Sequence, residues 1–156
     1  MTELSKSPYE ILEPSERFVA KSIISDKEKY QILPPLVKKI REKLSDWRKK
    51  GYPNTSKVSK ALINWWFKTN HDNFRYYFAQ REAVETIIYL YEADKTRNKE
   101  DLLKKYNSYP EVKLKHFSED WLRLVTKMAT GSGKTKVMSL LIVWSFFKKT
   151  YDADED

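Results

Sequence analysis

The residues with the clearest chemistry form a short glycine-rich loop, Ala129-Thr-Gly-Ser-Gly-Lys-Thr135. Gly131 and Gly133 allow the backbone to turn its N–H groups inward around an anion. Lys134 can reach the outer phosphates of a nucleotide, and the hydroxyl of Thr135 is a magnesium ligand. The loop therefore predicts a site for a nucleoside triphosphate and Mg²⁺. The predicted ligand-binding residues of the loop are Thr130, Gly131, Ser132, Gly133, Lys134 and Thr135.

Such a loop must be held between a strand and a helix, and the flanking sequence favours both. Residues 121–128 are rich in strand-forming side chains, so we predict a strand there. The helix that begins near Lys134 carries apolar residues nearly all the way round, which is typical of a buried helix. Met128 stands where the longer pattern G-x-x-x-x-G-K-[ST] has its first glycine, whereas the tighter form T-G-x-G-K-T is complete.

The residues before the loop are predicted to be mostly helical. Apolar residues follow a helical period from Leu36, and Gly51 is placed to end that helix. Further helices are predicted from about Ser56, from Ala79 to Glu92 and from Lys99 to Tyr106. The predicted segments are an extended N-terminal arm over 1–35, a basic helical region over 36–75 and the start of a nucleotide-binding domain over 76–156.

Excess positive charge is concentrated in one stretch of the chain. Residues 36–60 contain nine Lys or Arg and two Asp or Glu, whereas the whole chain carries a net charge of +8. Clustered cations attract nucleic-acid phosphates. The sequence predicts DNA contacts by Arg48, Lys49 and Lys50, and a solvated helix face explains the same charges equally well.

Composition excludes several classes of protein. The 156-residue chain has no cysteine, so it has neither disulfides nor Cys-ligated metal sites, and its two histidines are far apart in sequence. Apolar residues make up 40%, enough for a core. No apolar run approaches the ~18 residues of a membrane span, and no secretory signal is present. We expect a cytoplasmic protein without a membrane partner.

Three segments resemble a known family. The segment Met128-Ala-Thr-Gly-Ser-Gly-Lys-Thr135 resembles motif I of superfamily 2 helicases, in the branch of the ATPase subunits of type I and type III restriction enzymes. Residues 77–92, Tyr-Phe-Ala-Gln-Arg-Glu-Ala-Val-Glu-Thr-Ile-Ile-Tyr-Leu-Tyr-Glu, resemble the Q-motif helix of that DEAD/DEAH-type group. Trp47-Arg-Lys-Lys-Gly-Tyr-Pro53 also matches its N-terminal region. Ala79 departs from the pattern, since relatives carry Cys there.

The resemblance implies a fold and a ligand. It implies an α/β fold in which a mostly helical N-terminal region leads into the first strand, phosphate loop and helix of an incomplete RecA-like domain. It implies that Gln80 reads the adenine edge of ATP. Its amide suits this role because it donates and accepts hydrogen bonds at once.

The resemblance also implies parts that this sequence lacks. A complete ATPase needs an Asp-Glu pair on a later strand, a second motor domain and, in this family, a nuclease domain. Asp152-Ala-Asp-Glu-Asp156 is not that pair, because no buried strand precedes it. We therefore expect the ATP-binding front part of a DNA-dependent ATPase or helicase subunit of a restriction-type endonuclease. We expect no turnover by this chain alone, and the rest of that polypeptide or a companion subunit as its partner. The alternative is a basic DNA-binding or docking module with a vestigial phosphate loop.

Overall fold

The computed structural model describes residues 7–16, 35–106 and 124–152, and these residues are mostly helical. The α-helices are α1 (Pro35–Lys49), α2 (Lys57–Lys68), α3 (Phe78–Ile88), α4 (Lys99–Tyr106) and α5 (Lys134–Tyr151). A 3₁₀ turn spans Pro14–Glu16, and α3 continues into a π-helical turn over Tyr89–Ala93. The helices predicted from the apolar period are confirmed, and α4 has the predicted ends.

The chain divides into two compact units. The first unit combines residues 1–11, 52–95 and 124–156, of which the described part holds α2, α3 and α5. Its buried apolar side chains come from all three helices and from the residues flanking α3. They are Tyr52, Ile63, Trp66, Phe78, Val84, Ile88, Tyr89, Leu90, Val137, Leu140 and Trp144.

Local hydrogen bonds fix where the helices of this unit begin. Ser56 caps α2, because its hydroxyl accepts a hydrogen bond from the backbone N–H of Ser59 at 3.1 Å. The N–H of Phe78, which has no partner within its own helix, donates to the carbonyl of Pro8 at 2.9 Å. The short segment before residue 12 thereby supplies a hydrogen-bond acceptor for the first N–H group of α3.

The second unit comprises residues 12–51 and 96–123, and its described part contains α1 and α4. These two helices pack around Leu44, Trp47 and Tyr106, which are buried. Gly51 follows α1 with a φ of 74°, as predicted for a residue that ends a helix in the left-handed conformation.

The predicted α/β fold is wrong for the part of the chain that the structure describes. Residues 124–128 form no strand, and residues 121–123 of the predicted strand lie outside the described residues. A strand needs a neighbour for its backbone hydrogen bonds. Across the described ranges the only β-type pairing is an isolated bridge between His71 and Phe74. Without a neighbour, the segment has no regular secondary structure, and Val125 is 91% exposed.

The helix α5 is buried on one side only, which corrects the prediction of a helix buried nearly all round. Val137, Leu140 and Trp144 are buried, whereas Met138, Ile142 and other apolar residues of the opposite side are exposed. None of the helices in the described ranges has the length and hydropathy needed to cross a membrane. Most of the predicted N-terminal arm lies outside the described residues, and the domain boundaries at 35 and 75 stay predictions.

Candidate phosphate-binding loop

The glycine-rich loop adopts a conformation that only glycine takes easily. Gly131 and Gly133 have φ values of 78° and 77°, both in the left-handed region. Between them, Ser132 holds the loop closed, since its hydroxyl donates to the carbonyl of Ala129 at 2.6 Å. Helix α5 begins directly after Gly133, so the N–H groups of Lys134 and Thr135, at the start of its first turn, lie next to the loop.

The amine of Lys134 lies over this loop. It donates to two backbone carbonyls, those of Met128 at 3.3 Å and Ala129 at 3.1 Å. Both acceptors are neutral, and a phosphate oxygen forms a stronger, charge-assisted hydrogen bond with an ammonium group. Lys134, Thr130 and Thr135 are all exposed, so a ligand can reach them.

Gln80 lies against the loop although the two are far apart in sequence. Its side-chain Nε2 donates to the carbonyl of Ser132 at 3.0 Å, and its Oε1 accepts from the backbone N–H of Tyr77 at 3.0 Å. A Cβ on Gly133 would overlap Gln80 Nε2, so any larger residue there would displace this amide. The structure thus brings together Gln80 and the loop residues. The adenine contact implied for Gln80 stays a prediction, and one amide hydrogen remains for it.

A buried polar network fixes α5, and with it the loop, on the other helices of the unit. The indole Nε1 of Trp144 donates to the hydroxyl of Ser59 at 2.7 Å, and that hydroxyl donates to Glu92 at 2.6 Å. Glu92 also accepts from the backbone N–H of Ser56 at 3.0 Å, and Lys148 lies 3.5 Å from it. Every member has a partner, as a buried network requires.

A second buried network lies beneath α3. Glu85 accepts hydrogen bonds from Arg81 and from the phenol of Tyr52, both at 2.8 Å, and Arg81 also donates to the Tyr52 oxygen at 2.9 Å. Burial, followed by the negative charge of Glu85, raises the pKa of Tyr52 to about 12. Arg81 is therefore engaged within the unit, one position after Gln80.

The predicted DNA-contacting residues lie in the second unit, at and just beyond the end of α1. Lys49 pairs with Glu13 at 3.0 Å, and Glu13 also accepts from Ser45 at 3.0 Å. These hydrogen bonds, that of Lys49 foremost, lower the pKa of Glu13. Lys50 is exposed and Arg48 is half-buried. One of the three predicted contacts is thus already paired with a carboxylate.

Sequence reasoning missed both polar networks. The spacing of Arg81 and Glu85, four residues apart on one helix, is a signal for the pair, but it says nothing of burial. Nothing in the sequence signals that Glu92 is buried. The burial of Asp152, beside Lys148 at 3.8 Å, also has no signal in the sequence.

No cluster of three or more His, Cys, Asp or Glu side chains within the described ranges could hold a metal ion. The magnesium contact of the Thr135 hydroxyl stays a prediction.

A comparison with family models, curated proteins and solved structures finds no match for this chain. The family resemblance rests on the quoted motifs.

Proposed function

We propose that this chain binds ATP–Mg²⁺ through the loop from Thr130 to Thr135. The observation that carries the proposal is the pair of left-handed glycines, Gly131 and Gly133, immediately before the first turn of α5. Successive N–H groups in such a turn form an anion-binding concavity, and the positive end of the helix dipole reinforces it.

The side chains around the loop fit a nucleoside triphosphate. Lys134 exchanges two neutral carbonyl partners for phosphate oxygens, and Thr135 offers an exposed hydroxyl beside them for Mg²⁺. Magnesium held by this hydroxyl would neutralise part of the phosphate charge. Gln80 supports the loop at Ser132 and has one amide N–H available for the base.

On the motif resemblance, we further propose that ATP binding here serves a DNA-dependent ATPase or helicase of the restriction-enzyme type. Hydrolysis requires carboxylates that hold magnesium and orient a water molecule. Among the described residues, the carboxylates of Glu85 and Glu92 are committed to buried networks. We therefore expect ATP binding without turnover by this chain alone.

Calorimetric titration of the full chain with ATP–Mg²⁺ tests the proposal. We expect Lys134→Ala to weaken binding strongly, because a charge-assisted phosphate contact is lost. Lys149→Ala, which removes an exposed lysine farther along the same helix, is the matched control and should bind like the wild type. Equal dissociation constants for Lys134→Ala and the wild type would contradict the proposal.

A second function is favoured by the charge of α1, whose last turn carries Arg48 and Lys49 and is followed by exposed Lys50. In this alternative the chain is a basic DNA-binding or docking module. A salt series of duplex DNA binding by the triple Ala variant tests it. Each lost phosphate contact should reduce the salt slope by about 0.9. We expect the triple variant to lose about two to three contacts, the lower figure because Lys49 already pairs with Glu13.

A further inference from the structure

A cavity of about 850 Å³ lies in the first unit, at the connection between α2 and α3. It is lined mostly by aromatic and polar side chains, with Ile11 as an aliphatic one. Phe67, Phe74 and Tyr76 form a cluster of edge-to-face rings, with ring centroids 5.3 Å apart for Phe67 and Tyr76 and 4.7 Å apart for Phe74 and Tyr76. Phe74 is 46% exposed, so part of its ring faces solvent at the cavity.

Cationic groups lie at the cavity. Lys68 and Arg75 line it, with Arg75 over the ring of Tyr9, and the ammonium of Lys136 lies over the Phe74 ring, 4.9 Å from its centre. Lys136 belongs to the first turn of α5 and is exposed. The acidic residues Glu10 and Asp72 also line the cavity, so its charge is mixed but cationic beside the exposed ring.

Exposed aromatic rings with adjacent cations are the combination that binds unpaired nucleic-acid bases. A base stacks on the ring, and a nearby cation contacts its phosphate. In a duplex both faces of a base are covered by neighbouring base pairs, so only an unpaired base can stack in this way. The cavity is also far larger than one base, which leaves room for the attached sugar and phosphate.

We propose that this cavity binds unpaired bases of a single-stranded nucleic acid, with Phe74 as the stacking ring and Arg75 and Lys136 as phosphate contacts. The site goes beyond ATP binding at the phosphate loop and does not depend on it. Stacking tolerates any base, so the site has little sequence preference.

Fluorescence anisotropy of the full chain with a fluorescein-labelled oligothymidylate tests the proposal. We expect Phe74→Ala to weaken binding by ~5- to ~150-fold, the range for loss of one stacked base. Phe146→Ala removes a more exposed Phe from the far side of α5, 63% exposed, and should bind like the wild type. Equal binding by Phe74→Ala and the wild type, or no binding by the wild type, would overturn the proposal.

A second variant keeps the test decisive if Phe74→Ala proves unstable by circular dichroism. Arg75 is exposed, so Arg75→Ala should fold normally and should reduce the salt slope of oligothymidylate binding by about 0.7. Lys149→Ala is the charge-matched control, with an unchanged slope. An unchanged slope for Arg75→Ala would count against the site. If Phe74→Ala weakens ATP binding and leaves oligothymidylate binding unchanged, the cavity holds the base of ATP and the proposal is wrong.

Discussion

At the scale of single residues, the two loop glycines are not equivalent. Both have a positive φ, which costs other residues about 1–2 kcal/mol. A Cβ on Gly131 would meet nothing within 4 Å, whereas a Cβ on Gly133 would overlap the Gln80 amide. Only Gly133 is therefore constrained by a neighbour as well as by its backbone.

We expect Gly133→Ala to reduce the free energy of unfolding more than Gly131→Ala does, because only the former adds a steric overlap. Denaturant unfolding measures this for each glycine variant alone and for each combined with Gln80→Ala. Truncating Gln80 should recover part of the Gly133→Ala loss and none of the Gly131→Ala loss. Equal losses of unfolding free energy in the two glycine variants would show that the contact with Gln80 does not affect stability.

The buried phenol of Tyr52 gives the protein a defined sensitivity to alkali. Its pKa is raised from 10.0 to about 12, so the folded protein holds this proton more tightly than the unfolded chain does. The resulting stabilisation is complete below pH 10 and is lost as the pH rises towards 12.

We expect the free energy of unfolding of the wild type to fall between pH 10 and 12. The Tyr52→Phe variant has no phenol to ionise at this position, so its free energy of unfolding should fall less across the same range. Its stability below pH 10 should be lower by about 1–3 kcal/mol, because Arg81 and Glu85 lose a buried partner. Tyr151→Phe, on an exposed position of α5, is the control and should keep the wild-type profile. A Tyr52→Phe profile parallel to that of the wild type would contradict the assignment.

At the scale of elements, Ser59 joins α5 to the rest of its unit. Its hydroxyl serves both Trp144 and Glu92, and Ser59→Ala leaves the buried indole N–H without this acceptor. We expect a loss of about 1–3 kcal/mol in urea unfolding. Ser139→Ala is the control, because that exposed hydroxyl bonds only to its own helix and its loss should change stability by less than about 0.5 kcal/mol. A loss of unfolding free energy of the same size in both variants would show that contacts other than Ser59 hold α5 on its unit.

The helices were predictable because each carries its signal locally. Ser56 and Gly51 mark ends, and α4 was predicted between its observed ends. The strand was not predictable in this way, since residues 124–128 have strand-forming side chains but strand formation depends on a partner elsewhere in the chain. The contact between Gln80 and Ser132 was not predicted, because no local pattern relates residues 52 positions apart and the family resemblance implied only an adenine contact for Gln80.

At the scale of the whole molecule, the two units contain different predicted binding sites. The phosphate loop and the aromatic cavity belong to the first unit, whereas Arg48, Lys49 and Lys50 belong to the second. Variants in one unit that leave the other unit's binding unchanged would therefore separate the ATP, single-strand and duplex sites.

Met138, Ile142 and Phe146 lie four residues apart along α5 and are exposed, so their side chains do not stabilise the first unit by burial.

If the loop binds ATP as we propose, nucleotide phosphates lie at the backbone N–H groups of residues 131–135. Nuclear magnetic resonance of the ¹⁵N-labelled chain titrated with ATP–Mg²⁺ tests it most directly, because each amide reports its own hydrogen bonding. We predict the largest shifts at Gly131, Gly133 and Lys134, and their loss in Lys134→Ala. Shifts confined to other residues, or no shifts at saturating ATP, would contradict ATP binding at this loop.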